Sequence, residues 1–243
     1  MRITVVNPNT TKSMTDLIEA QARRVASPDT MVTGATPSMG PASIESHYDE
    51  ALAVPGLLEV IRLDADADAF VLACFGDPGL DAAREAASRP VVGIAEAAMK
   101  TASLLGRSFS VVTTMSRTVG RAWDLTRIYG LERHCAGVHA CDIPVLELEE
   151  DRDHTYAVLL TLAKSALAED GSDAIVLGCA GMAGLPELLT EQLGVPVVDG
   201  VAAATVLAEG LVRMGLRPST TGELAPPPAK PYTGALRSFG RPS

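Results

Sequence analysis

The chain has few aromatic residues, no excess of basic charge, no long apolar run and no paired cysteine motif. Aromatics make up 4% of its 243 residues, with a single tryptophan. A core must therefore be filled by small aliphatic side chains, which suits tightly packed α/β layers. Lysine and arginine total 20 against 30 acidic residues, for a net charge of −10. Nucleic acid is excluded as a partner, because neutralising phosphates takes clustered Lys and Arg. No apolar run is long enough to span a bilayer, so no membrane role is expected. The first residues, Arg2-Ile3-Thr4-Val5-Val6, read as a strand rather than a leader, and the expected location is the cytoplasm. The four cysteines, Cys74, Cys135, Cys141 and Cys179, show no CxxC or zinc spacing. A reducing compartment disfavours disulfides among them. Cys135, His139, Cys141 and Asp142 are close in sequence, but a strand would send them to different faces, so no metal is assigned.

What is present is a repeat. Ala73-Cys74-Phe75-Gly76-Asp77-Pro78-Gly79 has a twin in Gly178-Cys179-Ala180-Gly181-Met182-Ala183-Gly184. Each follows an apolar run opening on aspartate, Asp68-Ala69-Phe70-Val71-Leu72 and Asp173-Ala174-Ile175-Val176-Leu177. Such runs mark strands buried on both faces. Each is followed by a helical stretch and a proline-led strand, Pro90-Val91-Val92 or Pro196-Val197-Val198. The expected fold is α/β, with two pseudo-symmetric lobes, each a short, mainly parallel sheet flanked by helices. One lobe takes residues 1–97 and about 206–243, the other 98–205, with the active site in the cleft between them.

Strands are expected at 2–6, 31–36, 69–73, 91–94, 108–112, 135–140, 173–177 and 196–198. Helices are expected at 12–26, 44–65 with a break near Pro55-Gly56, 79–88, 95–106, 116–129, 154–169, 183–193 and 200–215. Thr10 or Thr11 and Ser43 are the expected caps of the first two helices. His47 reads as a surface residue, and the Pro-rich tail from 218 as irregular.

In an open α/β sheet ligands sit at the carboxyl ends of strands. Asn7, Cys74, Thr113, Thr114 and Cys179 all fall there. Turns rich in glycine leave backbone N–H groups free at helix starts, and a cysteine beside them should ionise more readily than a free thiol. One cysteine ending a buried strand is ordinarily packing. Two at matching places beside such turns suit a reaction that removes a proton from one face of a carbon and returns one to the other. Racemisation next to a carbonyl is that reaction, and two acid/base groups perform it without metal or cofactor. The pair then titrates as a unit, one thiolate with one thiol. The enolate formed in between needs donors, for which Asn7, Thr113, Thr114 and the backbone after each cysteine are candidates.

Asn7-Pro8-Asn9-Thr10, Gly40-Pro41-Ala42-Ser43-Ile44-Glu45, Cys74-Phe75-Gly76-Asp77-Pro78-Gly79 and Leu177-Gly178-Cys179-Ala180-Gly181-Met182 occur in that order. Together they resemble the Asp/Glu/hydantoin racemase superfamily, in its hydantoin and allantoin racemase branch. The tail near Tyr232-Thr233-Gly234 is similar to that branch as well. The resemblance implies cofactor-independent racemisation at C5 of a hydantoin-type ring, with Cys74 and Cys179 as the two acid/base residues. It implies that Asn7, Ser43, Thr113 and Thr114 line the site, and that the protein is a homo-oligomer. The amino-acid racemases of the superfamily carry polar residues after each cysteine. Here Phe75-Gly76 and Ala180-Gly181 stand instead, which favours a flat neutral ring over a zwitterion. The alternatives are an amino-acid racemase, a maleate-type isomerase, or a non-catalytic binder of small molecules on the same fold.

Overall fold

Apolar β-branched runs, each closed by a polar or glycine-bearing turn, build two sheets of the same plan. The computed structural model describes residues 1–182 and 184–240. The first half contains β1 (Arg2–Val6), α1 (Lys12–Val25), β2 (Met31–Ala35), α2 (His47–Leu63), β3 (Ala69–Leu72), α3 (Leu80–Ala86), β4 (Val91–Gly93) and α4 (Ile94–Leu105). The second contains β5 (Phe109–Thr113), α5 (Val119–Ile128), β6 (Cys135–Ala140), α6 (Arg152–Asp170), β7 (Ala174–Gly178), α7 (Pro186–Leu193), β8 (Val197–Val198) and α8 (Gly200–Arg213). The sheet orders are β2-β1-β3-β4 and β6-β5-β7-β8, parallel at every pairing. In both, the central pair, β1/β3 or β5/β7, is flanked by strands reached in opposite directions. That is a topological switch point, where an open parallel sheet leaves a crevice beyond its strand ends.

Two helices tie the halves together. Ile94 and Ala97 of α4 belong to the core under β1 and β3, while its Ala95, Ala98, Met99 and Ala102 pack with Phe109, Val111 and Val176. Val201, Ala204 and Ala208 of α8 follow the second sheet in sequence yet pack in the core of the first. Small side chains on both helices permit this close layering.

The sequence reading differs from the structure in a few places. α2 starts at His47, three residues later than expected, and its cap is Ser46, whose Oγ accepts from Asp49 N at 3.2 Å. Ser46 Oγ in turn donates to Asp49 Oδ2 at 2.6 Å, a reciprocal cap that outcompetes Ser43. The helix also runs unbroken through Pro55. An interior proline costs about 3 kcal/mol; burial of Ala53, Leu57 and Ile61 on the same element offsets it. Thr11 is the N-cap residue of α1, without a side-chain cap bond. The stretch from 116 opens as a 3-10 turn, Ser116–Thr118, before α5 begins. The expected start of the helix at 183 lies outside the described residues, and α7 begins at Pro186.

Candidate active site

The four central strands end on one cleft of about 620 Å³, counting its mouth. Cys74 and Cys179 both line it, with Phe75, Gly76, Thr113, Thr114 and Ala180. Asn9, Met14, Ile44, Ser46, Glu50, Thr118, Arg121, Ala122 and Val145 complete most of the wall. Of the residues singled out from sequence, Asn7, Ser43 and Gly181 do not line the cleft, and each has a structural reason.

Asn7 is fully buried beneath the loop that follows β1. Its Nδ2 donates to Asn9 Oδ1 (2.8 Å), Thr15 Oγ1 (3.1 Å) and Thr11 O (3.2 Å), and its Oδ1 accepts from Asn9 N. It holds Asn9, which reaches the cleft in its place. Ser43 precedes the late start of α2, so Ile44 and Ser46 supply that wall. Gly181 turns its N–H to the Cys179 sulfur at 3.4 Å, acting through backbone. The proline-glycine loop is tied to the first turn of the chain by Thr10 N to Pro41 O (2.9 Å) and Thr11 Oγ1 to Ala42 O (2.7 Å). Its Glu45 accepts from Val145 N of the other half at 2.9 Å.

Cys74 follows β3 at a tight turn. Asp77 N donates to Cys74 O at 2.9 Å, and Asp77 adopts φ 43°, a left-handed conformation that Asp tolerates better than most residues. Its buried carboxylate accepts from Ala95 N (3.2 Å) and Glu96 N (2.9 Å), capping α4 from a distance, and from Tyr129 OH (2.6 Å). Burial pushes this carboxyl up to about 6, against the three hydrogen bonds that favour its charge. Gly93 is needed for this contact, because a Cβ there would stand 2.5 Å from the Asp77 carboxylate. The Gly76 carbonyl accepts from Arg121 Nη2 (2.6 Å) and Nε (3.2 Å).

Cys179 follows β7 and opens a 3-10 turn, Ala180–Met182, in which Met182 N donates to Cys179 O at 3.2 Å. Gly178 lies so close to β5 that a Cβ would stand 2.8 Å from Thr113 Cβ. Thr113 Oγ1 donates to Gly178 O at 3.1 Å, which commits that hydroxyl to the backbone. The buried Thr114 hydroxyl has no hydrogen-bond partner among the described residues and faces the cleft.

The thiols are not held at low pKa as the glycine turns suggest. Burial raises both: Cys179 is pushed up to about 12, and Cys74 further. Backbone N–H groups of Gly181 and Gly76 work against the shift, and nearby negative groups add to it, Glu50 and Asp77 for Cys74, Glu45 and Glu149 for Cys179. Loss of solvation outweighs one backbone donor because a thiolate surrounded by low-dielectric walls loses most of its hydration. Burial thus opposes a thiolate at either sulfur, and mutual repulsion opposes two at once most of all.

His139 Nε2 lies 2.7 Å from Asp170 Oδ2, paired there rather than with the neighbouring cysteines, and Glu169 stands beside that pair. Asp170 also accepts from Ser110 Oγ at 2.6 Å, so its charge is used within the fold. Asp142, at φ 53°, accepts from Ser116 N and Oγ. His47 is exposed on α2, with Nδ1 3.7 Å from Glu50. Sequence reasoning missed Glu50, Arg121, Ser46 and Tyr129. Of these only Ser46 carried a local signal, as Ser46 followed three positions on by Asp49.

Known proteins resemble this chain along nearly its whole length. A hydantoin racemase from Rhizobium meliloti is 48% identical over 236 residues, covering 96% of this chain and 98% of that protein. A hydantoin racemase from Pseudomonas sp. (strain NS671) is 45% identical over 243 residues, covering 99% and 98%. The solved structure of allantoin racemase from Klebsiella pneumoniae superposes with a TM-score of 0.96 at 48% identity, covering 99% of both chains. Residues 3–208 match the family described as Asp/Glu/Hydantoin racemase. With two parallel sheets of one order, a cysteine ending the third strand of each, and this match over most of its length, the chain belongs to the Asp/Glu/hydantoin racemase family.

Proposed function

We propose that this protein is a racemase of 5-substituted hydantoins, of the hydantoin or allantoin type, using Cys74 and Cys179 as its two acid/base groups. The observation that carries the reading is that equivalent strand ends of two like sheets deliver one sulfur each to a single cleft.

One sulfur, as thiolate, takes the proton from C5. The C–H electron pair moves into the adjacent carbonyl, giving an enolate. The other sulfur, as thiol, gives its proton to the opposite face, and the charge returns from oxygen to carbon. Each turnover leaves the two protonation states exchanged, and the reverse reaction starts from that state. Both protons are carried by sulfur, so the mechanism uses no cofactor. The Thr114 hydroxyl is one side-chain donor available to the enolate oxygen, whereas Thr113 is spent on Gly178 O. Phe75, Gly76 and Ala180 offer a ring face and backbone to a flat ring. Cytoplasmic location and homo-oligomeric assembly complete the reading, with lobes at 1–97 plus about 206–243, and at 98–205.

The test is loss of optical rotation from single-enantiomer allantoin and from L-5-benzylhydantoin, in parallel, against enzyme-free controls. Racemisation of one or both is expected, and the faster substrate identifies the C5 substituent. No loss with either, from folded protein with reduced thiols, overturns the reading.

A further inference from the structure

Arg121 belongs to α5, in the second half of the chain, yet its guanidinium is spent on the first. Nη2 and Nε grip the Gly76 carbonyl at 2.6 and 3.2 Å, and Nε lies 3.4 Å from Glu50 Oε1. The peptide unit that carries the Gly76 carbonyl ends in the Asp77 N–H, which donates to Cys74 O at 2.9 Å and closes the turn under the sulfur. Held at its carbonyl by a two-pronged cation, that planar unit cannot rotate its N–H away from Cys74 freely. The space a side chain would take at Gly76 is filled by Glu50, so the residue is clasped between the carboxylate and the guanidinium. Both charged side chains are largely shielded, at 24% and 18% exposure, so water does little to weaken the grip.

We propose that Arg121 is a positioning residue for Cys74: from the second half of the chain it fixes the Gly76–Asp77 peptide that closes the turn under Cys74 and neutralises Glu50, and so sets the placing and reactivity of one of the two bases. The proposal rests on the racemase reading for its catalytic consequence, but not for its chemical one. Arg121 touches neither sulfur, and it serves one base only. Its loss is therefore felt unequally by the two enantiomers, because each is deprotonated by a different sulfur.

The experiment uses the full chain with Arg121→Met and Arg121→Lys, beside Cys74→Ser and Cys179→Ser. C5 deuterium uptake from D2O is followed for each single enantiomer. Arg121→Met should slow uptake by as much as about a hundredfold for one enantiomer, a loss expected from misplacing a catalytic group by an ångström. The enantiomer affected should be the one silenced in Cys74→Ser, with uptake by the other retained as in that variant. Arg121→Lys, which keeps charge without the two-pronged grip, should recover part of the loss. The change should fall on kcat more than on KM.

Alkylation by iodoacetamide, read at Cys74 and Cys179 by peptide mass spectrometry, gives a second readout that needs no turnover. In Arg121→Met the Cys74 rate should fall at least threefold relative to Cys179 in the same sample. Equal losses for both enantiomers, a pattern matching Cys179→Ser, or an unchanged labelling ratio would overturn the assignment. If the unaltered protein racemises nothing, the racemase reading fails while the labelling ratio still decides the role of Arg121.

Discussion

The two sheets share strand order, direction and the placing of a cysteine after the third strand, but they hold their sulfurs by different means. The Cys74 turn is braced from outside: Arg121 grips Gly76, and Tyr129 holds Asp77 while Asp77 caps α4. The Cys179 turn is braced from within, by a 3-10 turn that folds the Gly181 N–H onto the sulfur and by Gly178 wedged against Thr113. Proton transfer across a planar intermediate demands symmetry only of the two sulfurs. The scaffolds behind them are free to diverge, and here the first sulfur depends on residues that the second half of the chain provides.

The strongest way to break the comparison is to remove each sulfur in turn. Cys74→Ser and Cys179→Ser should each lower racemisation by at least about a thousandfold, the upper range for one positioned acid/base group. Far-ultraviolet dichroism should stay that of the parent, because the change is nearly isosteric. C5 deuterium uptake should survive in each variant for opposite enantiomers. Uptake surviving for the same enantiomer in both would mean that one sulfur serves both faces, and the symmetry of the site would be illusory.

Titration sharpens the comparison at a smaller scale. Both thiols are raised by burial, so their reactive thiolate fraction at neutral pH is small and grows about tenfold per pH unit. Alkylation of both cysteines should climb from about pH 7 to about pH 9. A plateau reached below about pH 7.5 at either cysteine would restore the low-pKa expectation drawn from the glycine turns.

That expectation failed for a reason sequence cannot supply. Gly181 does present its N–H to a sulfur, as its spacing suggests. How much water the sulfurs lose depends on walls drawn from residues as distant as Met14, Ile44 and Val145. The strands themselves were legible because continuous apolar runs such as Phe70-Val71-Leu72 and Ile175-Val176-Leu177 have few other readings at that length. The repeat made the two cysteines legible, and Thr113 and Thr114 with them. The loop after Gly40 was legible as a loop but not in its facing, since the start of α2 turned on a cap at Ser46. Arg121 was invisible: nothing in Ser116-Arg117-Thr118-Val119-Gly120-Arg121 separates its second arginine from an ordinary surface charge. Only the crossing of α5 over the Cys74 turn gives it a role.

The smallest effect tests the outer brace without touching a charge or a sulfur. Tyr129→Phe keeps the ring in its apolar surroundings and deletes one hydrogen bond to Asp77 Oδ2. Glu96 N still donates to that oxygen, and Ala95 N to the other, so the carboxylate is loosened rather than stranded. The stability loss should be about 1.5–3 kcal/mol, as for one hydrogen bond to a charged group, read from urea midpoints at unchanged slope. The bond with Tyr129 favours the ionised form, so its removal raises the Asp77 pKa above its present value of about 6. A carboxyl whose folded pKa stands above its unfolded one contributes stability below the unfolded pKa and loses it as pH rises through the folded one. The deficit of Tyr129→Phe against the parent should therefore be smallest near pH 4, where Asp77 is largely protonated, and widen toward pH 8. A deficit independent of pH would mean that the phenol only packs, and that Asp77 is held by α4 alone. The first sulfur would then lean on the second half of the chain through Arg121 and Glu50 and not through Asp77.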